Sequence, residues 1–231
     1  MPLGGVEEGA LTLMHPFALD PRADGSLRVL CLGAHGDDIE IGCGGTLLRW
    51  LRERSALHLT WAVATADGAR GDEARSSAQA LMQGAASLDV ICGDLPDGRL
   101  PAHFERAKAW LEHVRERAAD PDLVLTHRLE DRHQDHRALA EMTWQTWRDH
   151  VVLEYEIPKY EGDLGQPNCY VPLPDDIAAR KVAHLMAHFG SQRAKYWFRP
   201  STFDGLMALR GVECRAGSGK AEAFTLRKVV L

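Results

Sequence analysis

Short apolar runs alternate with longer segments of helical periodicity along most of this chain. Five apolar runs have the length and composition of buried β-strands: residues 28–34, 57–65, 89–93, 122–126 and 151–160. Four segments between them repeat their apolar positions every three to four residues, which predicts helices: residues 44–55, 72–88, 104–119 and 135–150. This alternation predicts parallel βαβ units, and therefore an α/β fold: a Rossmann-like three-layer sandwich with a mostly parallel central sheet.

The two ends of the chain are less regular. Residues 161–176 read as a turn-rich loop that leads into a helix over 177–189, and the tail from residue 221 is able to add a last strand. No repeat, low-complexity tract or linker divides the chain. We expect an N-terminal arm over residues 1–25 and a single domain over 26–231.

Composition and charge exclude several classes of function for this chain. The chain has 231 residues, of which 45% are hydrophobic, and this is enough for one sizeable core. Its formal net charge of -6 argues against a nucleic-acid partner. Its first residues lack the pattern of a signal peptide, no segment has the apolar length of a membrane span, and its five cysteines form no C-x-x-C pair. A cytoplasmic, reducing location is expected.

The stretch GAHGDDIEIGCGGT, residues 33–46, follows directly after the first predicted strand. Further polar residues follow each of the other predicted strands in this part of the chain: Asp67, Arg70, Asp94, Asp97 and the run His127–His136. Because parallel strands end along one edge of the sheet, the topology predicts that these residues lie at the edge where α/β folds bind their ligands.

A phosphate-binding turn is one interpretation of the glycines in this stretch. Dinucleotide sites need the spacing G-x-G-x-x-G between a strand and a helix. The glycines of this chain do not provide it, since they stand at Gly33, Gly36, Gly42, Gly44 and Gly45. Asp37, Asp38 and Glu40 would also repel a pyrophosphate, so a nucleotide cofactor is not expected.

A metal site is the second interpretation. His35 and Asp38 offer ligands that Zn²⁺ accepts, and a catalytic zinc ion needs three protein ligands besides water. The remaining ligand must come from another segment, and His133, Asp135 and His136 of the motif HQDH follow the fourth strand. Since the first and fourth strands are neighbours in the usual order of such sheets, the two segments are expected to meet.

Several motifs carry a likeness to a known family. The chain has AHGDD at 34–38 and GCGGT at 42–46, and later PDLVLTH at 121–127 and HQDH at 133–136. These motifs resemble the hallmarks of the LmbE-like, or PIG-L-like, N-acetylglucosaminyl deacetylases. The likeness runs from about residue 28 to the end of the chain, and it implies a Rossmann-like fold.

The resemblance also implies a reaction, namely zinc-dependent hydrolysis of the acetamide of an N-acetylated amino sugar. The sugar is of the N-acetylglucosamine type and is free, nucleotide-linked or carrier-linked. One divalent ion is implied, held by three ligands: His35, Asp38 and His136. Asp37 is then the general base. His133 is implied to be an acid or an electrostatic residue, oriented by Asp135.

Substrate contacts are expected from polar residues on the loops around the metal: Arg70, Asp94, Asp97 and Arg132. The chain departs from the family pattern at Gly36, where a proline is usual. It also lacks the tyrosine that some members place shortly before His-x-Asp-His, because Asp131 and Arg132 occupy that vicinity.

Two alternatives to sugar deacetylation stay open. One is an amidase that acts on another amide or on a thiol-sugar conjugate, and the other is a metal-binding regulatory module without catalysis. The expected partner is a small amino-sugar substrate. Neither nucleic acid nor a membrane span is expected, and self-association into a homo-oligomer is left open.

Overall fold

The computed structural model describes residues 22–230 of the chain. These residues form seven β-strands: β1 (Ser26–Gly33), β2 (Ala56–Val63), β3 (Ser87–Cys92), β4 (Leu123–His127), β5 (Val151–Tyr155), β6 (Cys169–Pro172) and β7 (Ala221–Leu226). They also form six α-helices: α1 (Asp38–Glu53), α2 (Gly68–Leu81), α3 (Phe104–Arg117), α4 (Gln134–Thr146), α5 (Asp175–His188) and α6 (Pro200–Glu213).

The strands form one mixed sheet in the order β3-β2-β1-β4-β5-β7-β6. Strands β1 to β5 run parallel, β7 is antiparallel to β5, and β6 is antiparallel to β7. Apolar side chains of α1, α2, α5 and α6 cover one face, and those of α3 and α4 cover the other. The predicted α/β three-layer sandwich with a mostly parallel sheet is therefore confirmed, as is the pairing of the first and fourth strands.

Helix α1 begins at Asp38, earlier than the predicted start at residue 44, so the glycines of GCGGT lie inside it. A Cβ atom on Gly42 would stand 2.2 Å from the ring of Tyr155, and one on Gly45 would stand 2.5 Å from Leu173. Both distances are far shorter than van der Waals contact. Close packing of α1 on the sheet thus requires glycine at these two positions, although glycine disfavours helix formation.

A buried ion pair is inserted against the backbone of α1. The carboxylate of Glu222 on β7 accepts hydrogen bonds from the backbone N–H groups of Gly45 (2.8 Å) and Thr46 (2.6 Å). The ammonium of Lys181 on α5 donates to Glu222 (2.5 Å) and to the carbonyl oxygen of Ile41 (2.6 Å). A buried charge pair needs such additional partners to offset its lost hydration, and the helix backbone supplies them.

The segment around the end of β5 differs from its predicted character. The alternation over 151–160 indicates a half-exposed strand, yet the strand ends at Tyr155, and Glu154 and Glu156 are buried. Arg227 contacts Glu154 at 2.6 Å, and Arg210 contacts Glu156 at 2.7 Å. Because these arginines come from distant parts of the chain, the local pattern gave no sign of the burial.

Other boundaries also differ from the sequence prediction. Helix α6 and strand β6 were not predicted; β6 has only four residues, and α6 contains two glycines. Helix α2 was predicted over 72–88 but begins at Gly68, because the side chain of Asp67 accepts a hydrogen bond from the first backbone N–H of the helix.

The predicted arm, residues 1–25, lies outside the described residues except for its last four. Arg22 in that short part pairs with Asp122 at 2.8 Å. The division into an arm and one domain stays a prediction.

The five cysteines are free thiols. Across residues 22–230, the helices are too short or too polar to cross a membrane.

Candidate active site

The site lies at the carboxyl ends of β1 and β4, which are neighbours in the middle of the sheet. The chain leaves β1 toward β2 on one side and leaves β4 toward β5 on the other, and such a reversal opens a crevice in α/β sheets. His35 and Asp38 stand between β1 and the first turn of α1, and His136 stands in the first turn of α4. The predicted meeting of the two motifs is confirmed.

The ligand groups of these three residues form a compact triangle. The Nδ1 atom of His35 lies 3.1 Å from the Nε2 atom of His136 and 3.3 Å from Oδ2 of Asp38. On the third side, Nε2 of His136 lies 3.4 Å from the other carboxylate oxygen of Asp38, Oδ1. Zn²⁺ binds nitrogen and oxygen at about 2.0–2.2 Å in tetrahedral geometry, which separates its ligand atoms by roughly 3.4 Å. The triangle therefore has the size and the donor set of a site for one divalent ion.

Carboxylates lie behind both histidines. Nδ1 of His136 lies 3.0 Å from Asp131, while Nε2 of His35 lies 3.1 Å from Asp97 and 3.3 Å from Asp135. Asp131 favours a hydrogen on Nδ1 of His136, so that Nε2 of this ring presents its lone pair to the triangle. Burial lowers the pKa of His35, but Asp38, Asp135 and Asp97 raise it well above its ordinary value, so this group of carboxylates favours positive charge.

Asp131 was not among the predicted site residues. Its carboxylate contacts Nδ1 of His136, Nζ of Lys159 (3.0 Å) and the backbone N–H of His133 (2.8 Å). Burial raises the pKa of a carboxyl group, but His136, His127 and Lys159 hold the pKa of Asp131 well below its ordinary value. Asp131 thus stays ionised and orients His136. In the sequence, this role is indicated only by an acidic residue two positions before HQDH. Some members of the family that the chain resembles have a tyrosine shortly before this motif.

His127, the last residue of β4, was also missed as a site residue. Its Nε2 atom lies 3.1 Å from Asp38 and 3.3 Å from the hydroxyl of Tyr155, and its ring stacks on His136 with centroids 3.9 Å apart. The side chain is completely buried and does not line the cavity at the site. The Nε2 atom also accepts a hydrogen bond from the backbone N–H of Ala34 at 3.0 Å, which fixes the ring behind Asp38 and His136. In the sequence, the only indication of this role is that His127 is the final residue of the motif PDLVLTH.

Asp135 makes contacts other than those the resemblance implied. Instead of orienting His133, its carboxylate accepts hydrogen bonds from the backbone N–H groups of Gly98 (2.6 Å) and Leu100 (2.9 Å) and faces His35. Only its backbone N–H reaches His133, donating to Nδ1 at 3.3 Å. The sequence could not indicate this because the loop after β3 that Asp135 binds is distant along the chain.

Asp37 lines the cavity but is not part of the triangle. Burial and the neighbouring charge of Asp38 raise the pKa of Asp37 to about 6. Among residues 22–230, no other side chain donates a hydrogen bond to its carboxylate. A carboxylate with a pKa near neutrality beside a metal site is suited to accept and return a proton.

His133 also lines the cavity and presents a donor to it. Burial and the nearby charge of His35 lower the pKa of His133, so its neutral form prevails at neutral pH. Because its Nδ1 atom accepts the N–H of Asp135, the hydrogen of the neutral ring is on Nε2. His133 therefore presents a neutral hydrogen-bond donor to the cavity.

The cavity has a volume of about 290 Å³. Besides the residues described above, polar and apolar side chains both line it: Arg70, Glu73, Asp97, Lys159, Tyr160, Glu161, Gln192, Lys195, Ile157, Phe189 and Trp197. A cavity lined by both polar and aromatic side chains is typical of small-molecule sites.

Two of the four predicted substrate contacts line this cavity. Arg70 and Asp97 do so, and they form an ion pair with each other. Asp94 and Arg132 do not line it. Asp94 is largely exposed and pairs with Arg106 of α3 at 3.3 Å, and Arg132 is exposed as well, so the structure does not bring these two residues to the site.

Comparisons with known proteins identify the family and the fold. An uncharacterized deacetylase, YaiS, from Escherichia coli (strain K12) is 27% identical over 170 residues, which cover 69% of this chain and 89% of that protein. Two solved structures share the fold: the conserved protein TT1542 from Thermus thermophilus (TM-score 0.64, 21% identity, 89% and 96% coverage) and an N,N'-diacetylchitobiose deacetylase from Pyrococcus horikoshii (TM-score 0.64, 18% identity, 89% and 85% coverage). The profile of the PIG-L family, described as GlcNAc-PI de-N-acetylase, matches residues 30–147. With half of its length matched, the chain belongs to the PIG-L family of N-deacetylases.

Proposed function

We propose that this enzyme removes the acetyl group from an N-acetylated amino sugar and that it uses one Zn²⁺ ion for the reaction. His35, Asp38 and His136 hold the ion. The observation that carries the proposal is the triangle of their ligand groups, 3.1–3.4 Å apart, beside the carboxylate of Asp37. When bound, the ion supplies the positive charge that polarises an amide carbonyl and makes water more acidic.

Asp37 acts as the general base. Its carboxylate takes a proton from the attacking water and then gives that proton to the departing amine. A pKa of about 6 suits both steps, because the group is largely ionised at neutral pH and is still able to carry a proton briefly. The neighbouring Asp38 is held as a carboxylate by three histidines, so it does not compete for the proton.

His133 stabilises the carbonyl oxygen as it gains negative charge. The Nε2–H group of its neutral ring donates a hydrogen bond toward that oxygen, and the N–H of Asp135 fixes the ring through Nδ1. Such a donor is able to contribute as much as a tyrosine hydroxyl, because it is already oriented before the charge develops. This assignment accounts for the missing tyrosine before HQDH.

The proposal is tested by assaying the purified, zinc-loaded protein with N-acetylglucosamine, N,N'-diacetylchitobiose and a nucleotide-linked N-acetylglucosamine. We expect equal amounts of free amine and acetate from at least one of them, and release of both to be slower by about 10²–10⁴ in Asp37→Asn. If a different amide were cleaved while all three sugars stayed intact, the amidase alternative would be correct. Stoichiometric zinc without turnover of any amide would identify a non-catalytic metal-binding module.

A further inference from the structure

The loop that follows β5 places a largely buried ammonium group beside the candidate site. The side chain of Lys159 is 7% exposed, and its Nζ atom lies 3.0 Å from Oδ2 of Asp131. Its other partners are the carboxylate oxygens of Asp163, at 2.7 and 2.8 Å, and the carbonyl oxygen of Ile157, at 3.4 Å. An ammonium group has three donors, and these three neighbours supply an acceptor for each of them. Lys159 lines the cavity, but its donors are already used within the protein.

Asp163 connects the same loop to the segment that precedes HQDH. One oxygen of its carboxylate accepts a hydrogen bond from the backbone N–H of Arg132 at 2.7 Å, and its carbonyl oxygen accepts one from the guanidinium of Arg128 at 2.9 Å. That guanidinium packs against Gly165, where an added Cβ atom would overlap it. The loop after β5 and the segment before HQDH therefore hold each other in place.

Asp131 links these contacts to two residues of the site. Its Oδ1 atom accepts a hydrogen bond from the backbone N–H of His133 at 2.8 Å. Its Oδ2 atom lies 3.0 Å from Nδ1 of His136 and 3.0 Å from the ammonium of Lys159. A carboxylate rotates readily about its side-chain bonds, and a second partner on the same oxygen restricts that rotation. Lys159 is this second partner, and within residues 22–230 it forms no hydrogen bond with either histidine.

We propose that Lys159, held by Asp163, is a positioning residue that fixes the carboxylate of Asp131 and, through it, the orientation of His136 toward the metal ion. This inference rests on the metal site of the proposed function. Groups that orient a metal ligand typically contribute about 10–100-fold to metal affinity. Charge acts in the opposite direction, because a nearby ammonium by itself repels Zn²⁺. A loss of zinc affinity on removal of this lysine would therefore report its effect on orientation.

The test is a zinc titration against a competing chelator on wild type, Lys159→Met, Asp131→Asn and the double variant. Lys195→Met is the matched control, because Lys195 also lines the cavity but, among the described residues, does not pair with Asp131. We expect Lys159→Met to bind zinc about tenfold more weakly, and Lys195→Met to bind it as tightly as wild type or more tightly. In the Asp131→Asn background, Lys159→Met should cause no further loss, since the carboxylate that it fixes is gone. Lys159→Arg keeps the charge and should retain most of the affinity.

Steady-state kinetics at saturating zinc separate positioning from substrate binding. We expect Lys159→Met to lower kcat with little change in KM, and a raised KM with unchanged kcat would overturn the inference. If denaturant unfolding shows that Lys159→Met is not folded, Lys159→Gln takes its place with the same expected results. Zinc affinity that the change leaves at the wild-type value, or lowers equally in both backgrounds, would refute the role of Lys159 alone. Wild-type protein that binds no zinc would refute the proposed metal site and this inference with it.

Discussion

The Nδ1 atom of His35 lies 3.1 Å from the Nε2 atom of His136, although 101 positions separate the two residues in the sequence. The pairing of β1 with β4 brings them together. Carboxylates lie against both rings, with Asp38 and Asp97 beside His35 and Asp131 beside His136, so this end of the sheet favours positive charge. The convergence of two imidazoles and one carboxylate is the structural reason to propose a metal ion here.

Asp37→Asn tests the general base. The amide has nearly the same shape as the carboxylate but cannot accept the proton, so we expect kcat to fall by about 10²–10⁴ while the metal stays bound. The measurement is steady-state release of amine from the best substrate, with metal content determined on the same sample. Activity within about tenfold of wild type would assign the base to another group.

Asp131→Asn tests the orientation of His136. The change removes the charge that fixes the ring through Nδ1, and such partners of metal ligands typically contribute about 10–100-fold to metal affinity. We expect a loss in that range in a zinc titration against a competing chelator. Asp94→Asn is the matched control, because Asp94 lies at the same sheet edge but outside the cavity. If both changes lowered zinc affinity equally, the cause would be the reduced negative charge of the region and not the orientation of His136.

Gly45→Ala tests the packing of α1. The added methyl group would meet Leu173 at 2.5 Å and the carboxylate of Glu222 at 2.9 Å, so we expect a loss of about 1–3 kcal/mol in the free energy of unfolding. Gly205→Ala in α6 is the control. Its Cβ would meet no atom within 4 Å, and alanine there should stabilise by about 0.5–1 kcal/mol. Denaturant unfolding measures both, and similar values for the two variants would contradict the packing account.

Much of the fold followed from the hydrophobic pattern, because buried parallel strands and amphipathic helices have distinct periods. The pairing of the first and fourth strands and the meeting of AHGDD with HQDH followed as well. The start of α1 did not, since glycines usually end helices. The side chains of Tyr155, Leu173 and Glu222, all distant in sequence, explain why glycines are needed inside this one.

The candidate site was predicted only in part for the same reason. A motif names residues that are close in sequence, so His35, Asp38 and His136 could be chosen. The groups that orient them could not be ranked from sequence, because the contacts of Asp131 and His127 are set by packing. The contacts of Asp135 show this most clearly, since it binds the loop after β3 instead of the ring of His133.

Glu40→Gln tests a buried carboxyl group behind the site. Burial raises the pKa of Glu40 from 4.5 to about 8, although Ser77 donates a hydrogen bond to it at 2.5 Å. Between these two pH values the folded protein binds more protons than the unfolded chain, so the stability of the wild type falls as pH rises from about 4.5 to 8. Glutamine resembles the protonated form and does not titrate.

We therefore expect Glu40→Gln to gain stability relative to the wild type as pH rises through that window, and the difference to level off above about pH 8. Denaturant midpoints at about pH 5 and pH 8, measured with and without a chelator, give the comparison. Glu53→Gln at the other end of α1 is the control, because Glu53 is exposed and shows no such burial. A difference that is the same at both pH values would contradict the raised pKa.

The measurement that tests the central claim most directly is the metal content of the purified protein and of His136→Ala, taken together with acetate release from an N-acetylated amino sugar. We predict one zinc ion per wild-type chain, with activity that is lost on chelation and restored by one equivalent of zinc. His136→Ala should lose both metal and activity while keeping the fold by circular dichroism. Full acetate release by metal-free protein, or unchanged zinc binding by His136→Ala, would contradict the account.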